Sequence, residues 1–261
     1  MNKIIHRDTK TTTKVFDHRT LRRDYATLIP VLKKGLRVLD VGCGTGAISK
    51  DIAEAVGEQG CVTGIDNTEA FIIQGREAHR SVRNLELVHA DLFNFHPDEK
   101  FDLVVAARVV QWLNNPDVAI KVLATFLKPG GQLSILDYNH EDIVWKPEPP
   151  ESMRRFYKAF LNWRADNGMD NRIGDHLAAH FREAGFHSIE VLEADEVYRK
   201  GEVDFAQRAG IWSKVAELKQ IVDEGYLNEV ERLRTISEYD QWVELDAQCM
   251  TLNLTEVRGK I

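Results

Sequence analysis

The chain has 261 residues, of which 43% are hydrophobic and 29% are charged. This composition is ordinary for a globular protein, and the length favours a single domain over residues 1–261. The 34 basic and 41 acidic residues leave a net charge of -7, which would repel a phosphate backbone. We therefore expect no nucleic-acid partner.

The cysteines and the apolar segments bear on location. Cys43, Cys61 and Cys249 form no metal-ligand spacing and cannot all pair, which indicates a reducing compartment and predicts no metal site. Met1 to Lys14 has no apolar core that could serve as a signal peptide, and no later segment has the length needed to span a bilayer. We therefore expect a cytoplasmic protein without a membrane partner.

Helix and strand signals alternate along the first half of the chain, which predicts a parallel sheet with helices on both faces. The predicted elements are helix 20–34, strand 36–41, helix 45–56, strand 61–65, helix 68–80, strand 85–89, strand 101–106, helix 116–127 and strand 131–137.

The pattern changes after residue 137. Apolar residues at helical spacing predict a helix at 151–166 and another from Ile173 to a stop at Gly185, followed by a strand near 187–198. Two amphipathic helices are predicted at about 203–223 and 227–246. In the last strand apolar residues from Met250 onward alternate with polar ones, which is typical of an antiparallel strand with one wet face.

The segment RVLDVGCGTG, residues 37–46, places an acid and three glycines where a buried strand must turn into a helix. The glycines allow a tight turn and a close approach to a ligand, at which the helix that follows would point its free N–H groups. Asp40 would repel a phosphate but suits a ligand with an ammonium and a sulfonium. A dinucleotide fingerprint can also be drawn through the first two glycines and Ala47, so an NAD(P)-dependent oxidoreductase is an alternative.

The run Asp40-Val41-Gly42-Cys43-Gly44-Thr45-Gly46 resembles the first motif of the class I S-adenosylmethionine-dependent methyltransferases, and in general character the chain is similar to small-molecule enzymes such as the quinone-biosynthesis methyltransferases. The resemblance implies S-adenosylmethionine as cofactor and S-adenosylhomocysteine as product. It also implies an α/β fold with a doubly wound, mostly parallel seven-stranded sheet in the order 3-2-1-4-5-7-6, whose last strand is antiparallel. The residues that it assigns to the cofactor in this run are Asp40, Gly42, Cys43, Gly44 and Gly46.

Asp66 closes the second predicted strand. A carboxylate at the crevice edge of the sheet can accept hydrogen bonds from both hydroxyls of a ribose, and Asn67 beside it joins the predicted site. Such an acid can bind the ribose of either NAD or S-adenosylmethionine, so its presence does not distinguish between the two cofactors. Its alternative role is to cap the helix that begins near Thr68.

The ends of the third and fourth strands complete the predicted cofactor site. The resemblance implies that Asp91 takes the exocyclic amine of adenine and that Leu92 packs on the ring, whereas an ordinary turn aspartate is the alternative for Asp91. Arg108 begins the loop after the fourth strand and is predicted to contact the cofactor. Trp112 ends that loop, at a point where similar enzymes often carry an aromatic residue.

The acceptor is predicted to bind under the segments 138–170 and 200–247, helical insertions that would form a cap or an interface. His140 is the candidate general base, because imidazole titrates near neutral pH. Alternatively, the aromatic stripe of helix 151–166 only fills the core. The predicted substrate-binding residues are Trp112, Tyr138, Trp145 and Tyr157.

The predicted function is in-line transfer of a methyl group from S-adenosylmethionine to an O, N or C nucleophile of a small-molecule acceptor. Besides the oxidoreductase, a non-catalytic protein that binds the cofactor and interacts with a partner is an alternative. His176 and His180 lie at a spacing that can hold zinc, but no third ligand is evident. We expect a monomer or a homodimer.

Overall fold

The computed structural model describes residues 19–261. Residues 1–18, which include the segment without signal-peptide character, lie outside the described part of the chain. The strands are β1 (Arg37–Val41), β2 (Cys61–Asp66), β3 (Leu85–His89), β4 (Phe101–Ala107), β5 (Leu127–Lys146), β6 (His187–Glu193), β7 (Glu196–Arg199) and β8 (Cys249–Lys260).

The α-helices flank this sheet and build the segments between β5 and β8. They are α1 (Leu21–Asp24), α2 (Ala47–Val56), α3 (Glu69–Ala78), α4 (Pro116–Thr125), α5 (Glu151–Asp166), α6 (Ile173–Glu183), α7 (Phe205–Ala209), α8 (Ile211–Val215), α9 (Gln220–Asp223) and α10 (Glu229–Leu245). Short 3-10 helices occupy Ala26–Val31, Leu92–Asn94 and Val110–Trp112.

All eight strands belong to one sheet in the order β3-β2-β1-β4-β5-β8-β6, and β7 pairs with β8 beside that path. Strands β1 to β5 run parallel, and β8 runs antiparallel to its three neighbours. The predicted topology is therefore confirmed with one difference. The single strand predicted near 187–198 is split at Ala194 and Asp195, where the Asp195 carboxylate accepts the N–H of Leu254.

Three further predicted elements differ from the structure. The helix predicted at 20–34 is wrong, because the backbone of Tyr25 leaves helical geometry (φ -155, ψ 42) and a 3-10 helix that contains Pro30 follows. The helix predicted at 203–223 is broken into α7, α8 and α9, with Gly210 between the first two. The strand predicted at 131–137 continues to Lys146, because β8 pairs with it as far as that residue.

The sheet separates two hydrophobic cores, since successive residues of a strand point to opposite faces. On β1, Val38 packs into one core and Leu39 into the other. The carboxyl ends of β1, β2, β4 and the parallel part of β5 meet at one edge, so the residues that follow them lie near one another. Within residues 19–261, no helix has both the length and the apolar character required to cross a membrane.

Candidate functional site

The glycine turn joins β1 to α2 in a conformation that needs glycine. Gly42, Gly44 and Gly46 have φ values of +70, +58 and +78, in the left-handed region that side chains disfavour. A Cβ on Gly42 would lie 2.4 Å from a methyl of Val109, and one on Gly46 would lie 2.9 Å from Leu87. The turn is therefore closely packed from two sides.

Cys43 contributes its backbone to this turn. Its N–H donates to the carbonyl of Ile65 at 3.0 Å, which ties the turn to β2. Its sulfur faces the sheet, where a Cβ on Gly64 would lie 2.9 Å from it. Burial raises the pKa of the Cys43 thiol well above its usual range, so the side chain is an uncharged packing group.

Asp40 lies at the base of the turn and is 5% exposed. The hydroxyl of Ser49, on α2, donates to its Oδ2 at 2.6 Å. Burial raises the pKa of Asp40 to about 7, and the nearby Asp66 adds to this rise while the bond from Ser49 opposes it. The carboxyl group is thus poised to ionise when a cation arrives.

Asp66 connects the turn to the helix that follows β2. Its Oδ2 accepts the N–H of Gly44 and its Oδ1 accepts the N–H of Thr68, each at 2.9 Å. The N-cap of α3 is Thr68, so Asp66 holds the residue that caps the helix and does not itself cap it. A carboxylate has about four lone-pair sites, so Asp66 can hold both N–H groups and still accept from ribose hydroxyls.

The adenine side of the predicted site lies on the surface after β3. Asp91 is exposed, and its Oδ1 accepts from the N–H of Phe93 at 2.9 Å and from the side chain of Asn94 at 3.3 Å. It therefore caps the 3-10 helix that starts at Leu92, as a turn aspartate does. Leu92 is buried below it, and Asn67 is exposed on the neighbouring loop.

Arg108 has a buried side chain that binds groups of this chain. Its guanidinium forms an ion pair with Glu196 on β7, and it donates to the Tyr138 hydroxyl at 2.9 Å and to the carbonyl of Asp24 at 2.8 Å. Its backbone has a φ of +62, which is unusual for a residue with a side chain. These contacts give Arg108 a structural role, and its contact with the cofactor stays a prediction.

The predicted acceptor residues form part of an aromatic cluster at the crevice end of β5. The ring of His140 lies 5.0 Å from that of Tyr138 and 6.0 Å from that of Trp212, centroid to centroid. Tyr157 packs edge-on against Trp145 at 5.1 Å and against Trp212 at 4.7 Å. We define the aromatic cluster as Trp112, Tyr138, His140, Trp145, Tyr157, Phe160 and Trp212.

Trp112 joins this cluster through Phe160, at 6.4 Å between ring centroids. The stripe of α5 is buried, as the core-filling alternative expects, but it packs around His140 and Trp112 rather than against aliphatic residues alone. Tyr138 also lines a cavity of about 60 Å³, whose other walls combine Tyr198 and Ile211 with charged residues such as Glu196 and Arg208. The cluster therefore borders this small cavity through Tyr138.

His140 is 5% exposed, and its Nε2 lies 2.6 Å from Oε1 of Gln111. The Tyr157 hydroxyl donates to its backbone carbonyl at 2.5 Å. Burial, and then the charge of Arg164, hold the pKa of His140 well below its usual range. The imidazole is therefore neutral at physiological pH.

The two histidines with zinc spacing lie elsewhere, on α6. Nδ1 of His176 is 2.6 Å from a carboxylate oxygen of Asp170, and Nδ1 of His180 is buried without a hydrogen-bond partner. Among residues 19–261 there is no group of three or more His, Cys, Asp or Glu side chains that could hold a metal ion.

Sequence reasoning missed several residues of this region. Gly75 had a visible signal, an isolated glycine inside a predicted helix, and the structure shows the reason: a Cβ there would lie 2.3 Å from the carbonyl oxygen of Thr45. Glu196, Arg164 and Trp212 had no signal, because only the fold brings them to this edge of the sheet.

Comparison with known proteins identifies the family. Residues 32–207 match the profile of a methyltransferase domain family. Demethylmenaquinone methyltransferase of Listeria monocytogenes is 31% identical over 192 residues, which cover 67% of this chain and 79% of the relative. The chain belongs to this methyltransferase family, and it is an enzyme that uses S-adenosylmethionine to methylate a small molecule.

Solved structures show the same fold at low identity. Phosphoethanolamine N-methyltransferase 2 of Haemonchus contortus, in complex with S-adenosylmethionine, superposes with a TM-score of 0.60 at 17% identity over 97% of this chain and 58% of that chain. This chain thus spans a little over half of that protein. A protein of Bacillus halodurans that has been assigned as a methyltransferase gives a TM-score of 0.55 at 19% identity over 91% of this chain and 98% of that chain. The predicted methyltransferase fold is confirmed.

Proposed function

We propose that this enzyme methylates an O, N or C nucleophile on a ring-bearing acceptor, and that a quinol of the kind named for its bacterial relatives is the first acceptor to test. The observation that carries this proposal is the aromatic cluster, which gathers rings from β5, α5 and α8 beside the cavity at Tyr138. Aromatic side chains bind a planar acceptor by stacked and edge-to-face contacts.

The donor is proposed to lie along the glycine turn. S-adenosylmethionine supplies the methyl group as an electrophile on its sulfonium. The chain offers two carboxyl groups, Asp40 and Asp66, beside a turn whose glycines admit a ligand close to the backbone. These features fit a cationic nucleoside. The residues proposed to hold it are Asp40, Gly42, Cys43, Gly44, Gly46, Asp66, Asn67, Asp91, Leu92 and Arg108.

The main task of these residues is to place the donor and the acceptor in line. Such positioning contributes roughly 7–11 kcal/mol in favourable cases. Asp66 is suited to fix the ribose while it braces the turn through Gly44, so the site is rigid where the donor is held. The acceptor atom would supply the electron pair of the new bond to the methyl carbon, the sulfonium sulfur would keep the pair of the broken bond between sulfur and the methyl carbon, and the acceptor would give up a proton if it carries one.

His140 is proposed as the base for that proton. Its depressed pKa keeps the imidazole unprotonated and ready to accept a proton at neutral pH. His140 lies within the aromatic cluster, and its ring packs against the rings of Tyr138 and Trp212. A buried base of this kind suits a phenol or quinol hydroxyl, or an acidic carbon.

The segments 138–170 and 200–247 are proposed to cap the acceptor. Helix α10 packs on α5, and the Trp145 indole donates to the Tyr239 hydroxyl at 3.0 Å, so the two segments form one unit. We propose a cytoplasmic monomer or homodimer that acts on small molecules and binds no nucleic acid or membrane. The net charge of -7 supports the exclusion of nucleic acid.

The test is formation of S-adenosylhomocysteine by the purified chain with a panel of demethylated quinols, phenols, keto acids and amines. Turnover restricted to ring-bearing acceptors supports the proposal. Turnover of aliphatic acceptors alone overturns the proposal of an aromatic acceptor, and so does donor binding without turnover of any acceptor in the panel. Tryptophan quenching by S-adenosylhomocysteine but not by NADH checks the donor class independently.

A further inference from the structure

Gln111 lies in the 3-10 helix before Trp112 and is 3% exposed. Its backbone is held from both sides, because its N–H donates to Asp137 Oδ2 at 3.0 Å and its carbonyl accepts from Arg164 Nη2 at 2.9 Å. Its side-chain Nε2 donates to the carbonyl of Arg108 at 3.3 Å. Three of its polar groups are therefore fixed by buried neighbours, and the fourth, Oε1, faces His140.

This arrangement decides the orientation of the amide. The nitrogen must point at the Arg108 carbonyl, because a carbonyl oxygen only accepts hydrogen bonds. The amide oxygen is then the atom 2.6 Å from His140 Nε2, and an amide oxygen also only accepts. The proton of the neutral imidazole must therefore lie on Nε2.

We infer that Gln111 is a positioning residue that fixes His140 as its Nε2–H tautomer and so leaves the lone pair on Nδ1 to accept the proton of the acceptor. The inference rests on the proposed function in that it takes His140 as the base. It adds which ring nitrogen acts and which residue selects it, much as a hydrogen bond to one imidazole nitrogen defines the role of the other in known sites.

The charged and titratable groups around His140 agree with a neutral ring. Arg164 and Tyr157 approach from α5, and Tyr138 comes from β5, where the buried Asp137 accepts from the N–H of Gln111. From the 3-10 helix and from α8 the facing groups are Gln111 and Trp212, neither of which titrates. Arg164 lies near the carboxyl groups of Asp137 and Asp170, and its positive charge disfavours a second positive charge on the imidazole.

The first test is nuclear magnetic resonance of protein labelled with ¹⁵N-histidine, in which the two ring nitrogens report the tautomer directly. The His140→Gln variant assigns the signal among the nine histidines. A pure Nε2–H tautomer in the parent, giving way to a mixture in Gln111→Met, supports the inference. An Nδ1–H tautomer in the parent, or no change in Gln111→Met, overturns it.

The second test uses the pH profile of kcat/KM. In Gln111→Glu a carboxylate faces the imidazole and favours its protonated form, so the acidic limb should move up by about 1–3 pH units. Gln132→Glu, near the opposite end of β5, is the matched control and should not move the limb. A loss of activity equal at every pH would mark Gln111 as merely structural and overturn the inference.

Failure of the proposed base is recognised separately. If the tautomer responds to Gln111→Met as expected but kcat and its pH profile stay those of the parent, His140 is not the base. The inferred control of the tautomer by Gln111 then stands, and the assignment of His140 in the proposed function falls.

Discussion

The Ser49 hydroxyl donates to Oδ2 of Asp40 at 2.6 Å, from the first turn of α2 back to the end of β1. It supplies a hydrogen bond to a carboxyl group that is 5% exposed and whose pKa burial raises to about 7. The protonation state of Asp40, which lies beneath the glycine turn, therefore changes near neutral pH. Ionisation of Asp40 is costly in the free protein and is favoured by a positively charged ligand.

Donor binding should strengthen as the pH rises. Below the pKa of about 7 the donor must drive a proton off Asp40, whereas above it the carboxylate is already charged. We expect affinity to rise between about pH 6 and about pH 8 and then level off, with proton release at the lower pH. Calorimetry in two buffers of different ionisation enthalpy measures both, and a flat affinity with no released proton would contradict it.

Ser49→Ala should move this transition to higher pH, because it removes the hydrogen bond that favours the ionised form of Asp40. Ser81→Ala, at an exposed position, is the control and should leave the transition in place.

The raised pKa of Asp40 also affects the stability of the folded protein. The stability associated with Asp40 is present below its unfolded pKa of 3.8 and is lost as the pH rises through about 7.

Asp91→Ala should weaken donor binding by roughly tenfold or more, the order expected for a hydrogen bond to a charged group. The free energy of unfolding should fall only by about 0.5–2 kcal/mol, because the exposed side chain caps one short 3-10 helix. Calorimetry and urea unfolding separate the two effects. Asp98→Ala on the same exposed surface is the control, and equal donor affinity in both variants would remove Asp91 from the site.

Gly75→Ala should destabilise the protein and weaken donor binding together. Alanine usually favours a helix over glycine, but here its Cβ would lie 2.3 Å from the carbonyl oxygen of Thr45 in the glycine turn. Overpacking of this kind costs about 1–3 kcal/mol. Glu77→Ala, on the same helix, is the control for helix propensity. If Gly75→Ala were more stable than the parent, the glycine turn would have shifted to make room for the Cβ without cost, which would contradict the prediction.

Trp112→Leu should raise the KM for the acceptor by about tenfold, which is the order of magnitude expected for the loss of one aromatic contact. The Kd of the donor should stay within about twofold of the parent value. Trp112 is half-buried, and the guanidinium carbon of Arg164 lies over its ring, 5.1 Å from the ring centroid. Steady-state kinetics with the best acceptor measures the first quantity and calorimetry the second. A change in donor affinity with an unchanged acceptor KM would place Trp112 on the donor side.

Glu196→Gln should cost about 3–5 kcal/mol in unfolding free energy, because it leaves the buried Arg108 guanidinium without its counter-charge. Replacement of both residues by methionine should cost less than that single change. Glu217→Gln, which breaks the more exposed pair with Lys214, should cost less than about 1 kcal/mol. Urea unfolding measures all three, and a small loss in Glu196→Gln would disprove the structural role of Arg108.

Local patterns sufficed for the glycine turn and the parallel strands. Residues 37–46 combine a buried strand, glycines at positive φ and an acid within one short segment, so their geometry is encoded by neighbours in sequence. Tyr25 shows where this fails. Its hydroxyl bonds to Ser134 on β5 at 2.7 Å, and the helix predicted from local periodicity is interrupted at that residue.

The sequence by itself determined the glycine turn and, through the resemblance that this turn carries, the class of enzyme, because residues 37–46 are close together in the chain. Only the tertiary structure decided how Gln111, Arg164 and Trp212 surround His140, and that Glu196 neutralises Arg108. These partners lie far apart in sequence or in separate elements. These contacts form because packing places α5, α8 and β7 against one edge of the sheet. The spacing of apolar residues along the chain does not predict that placement.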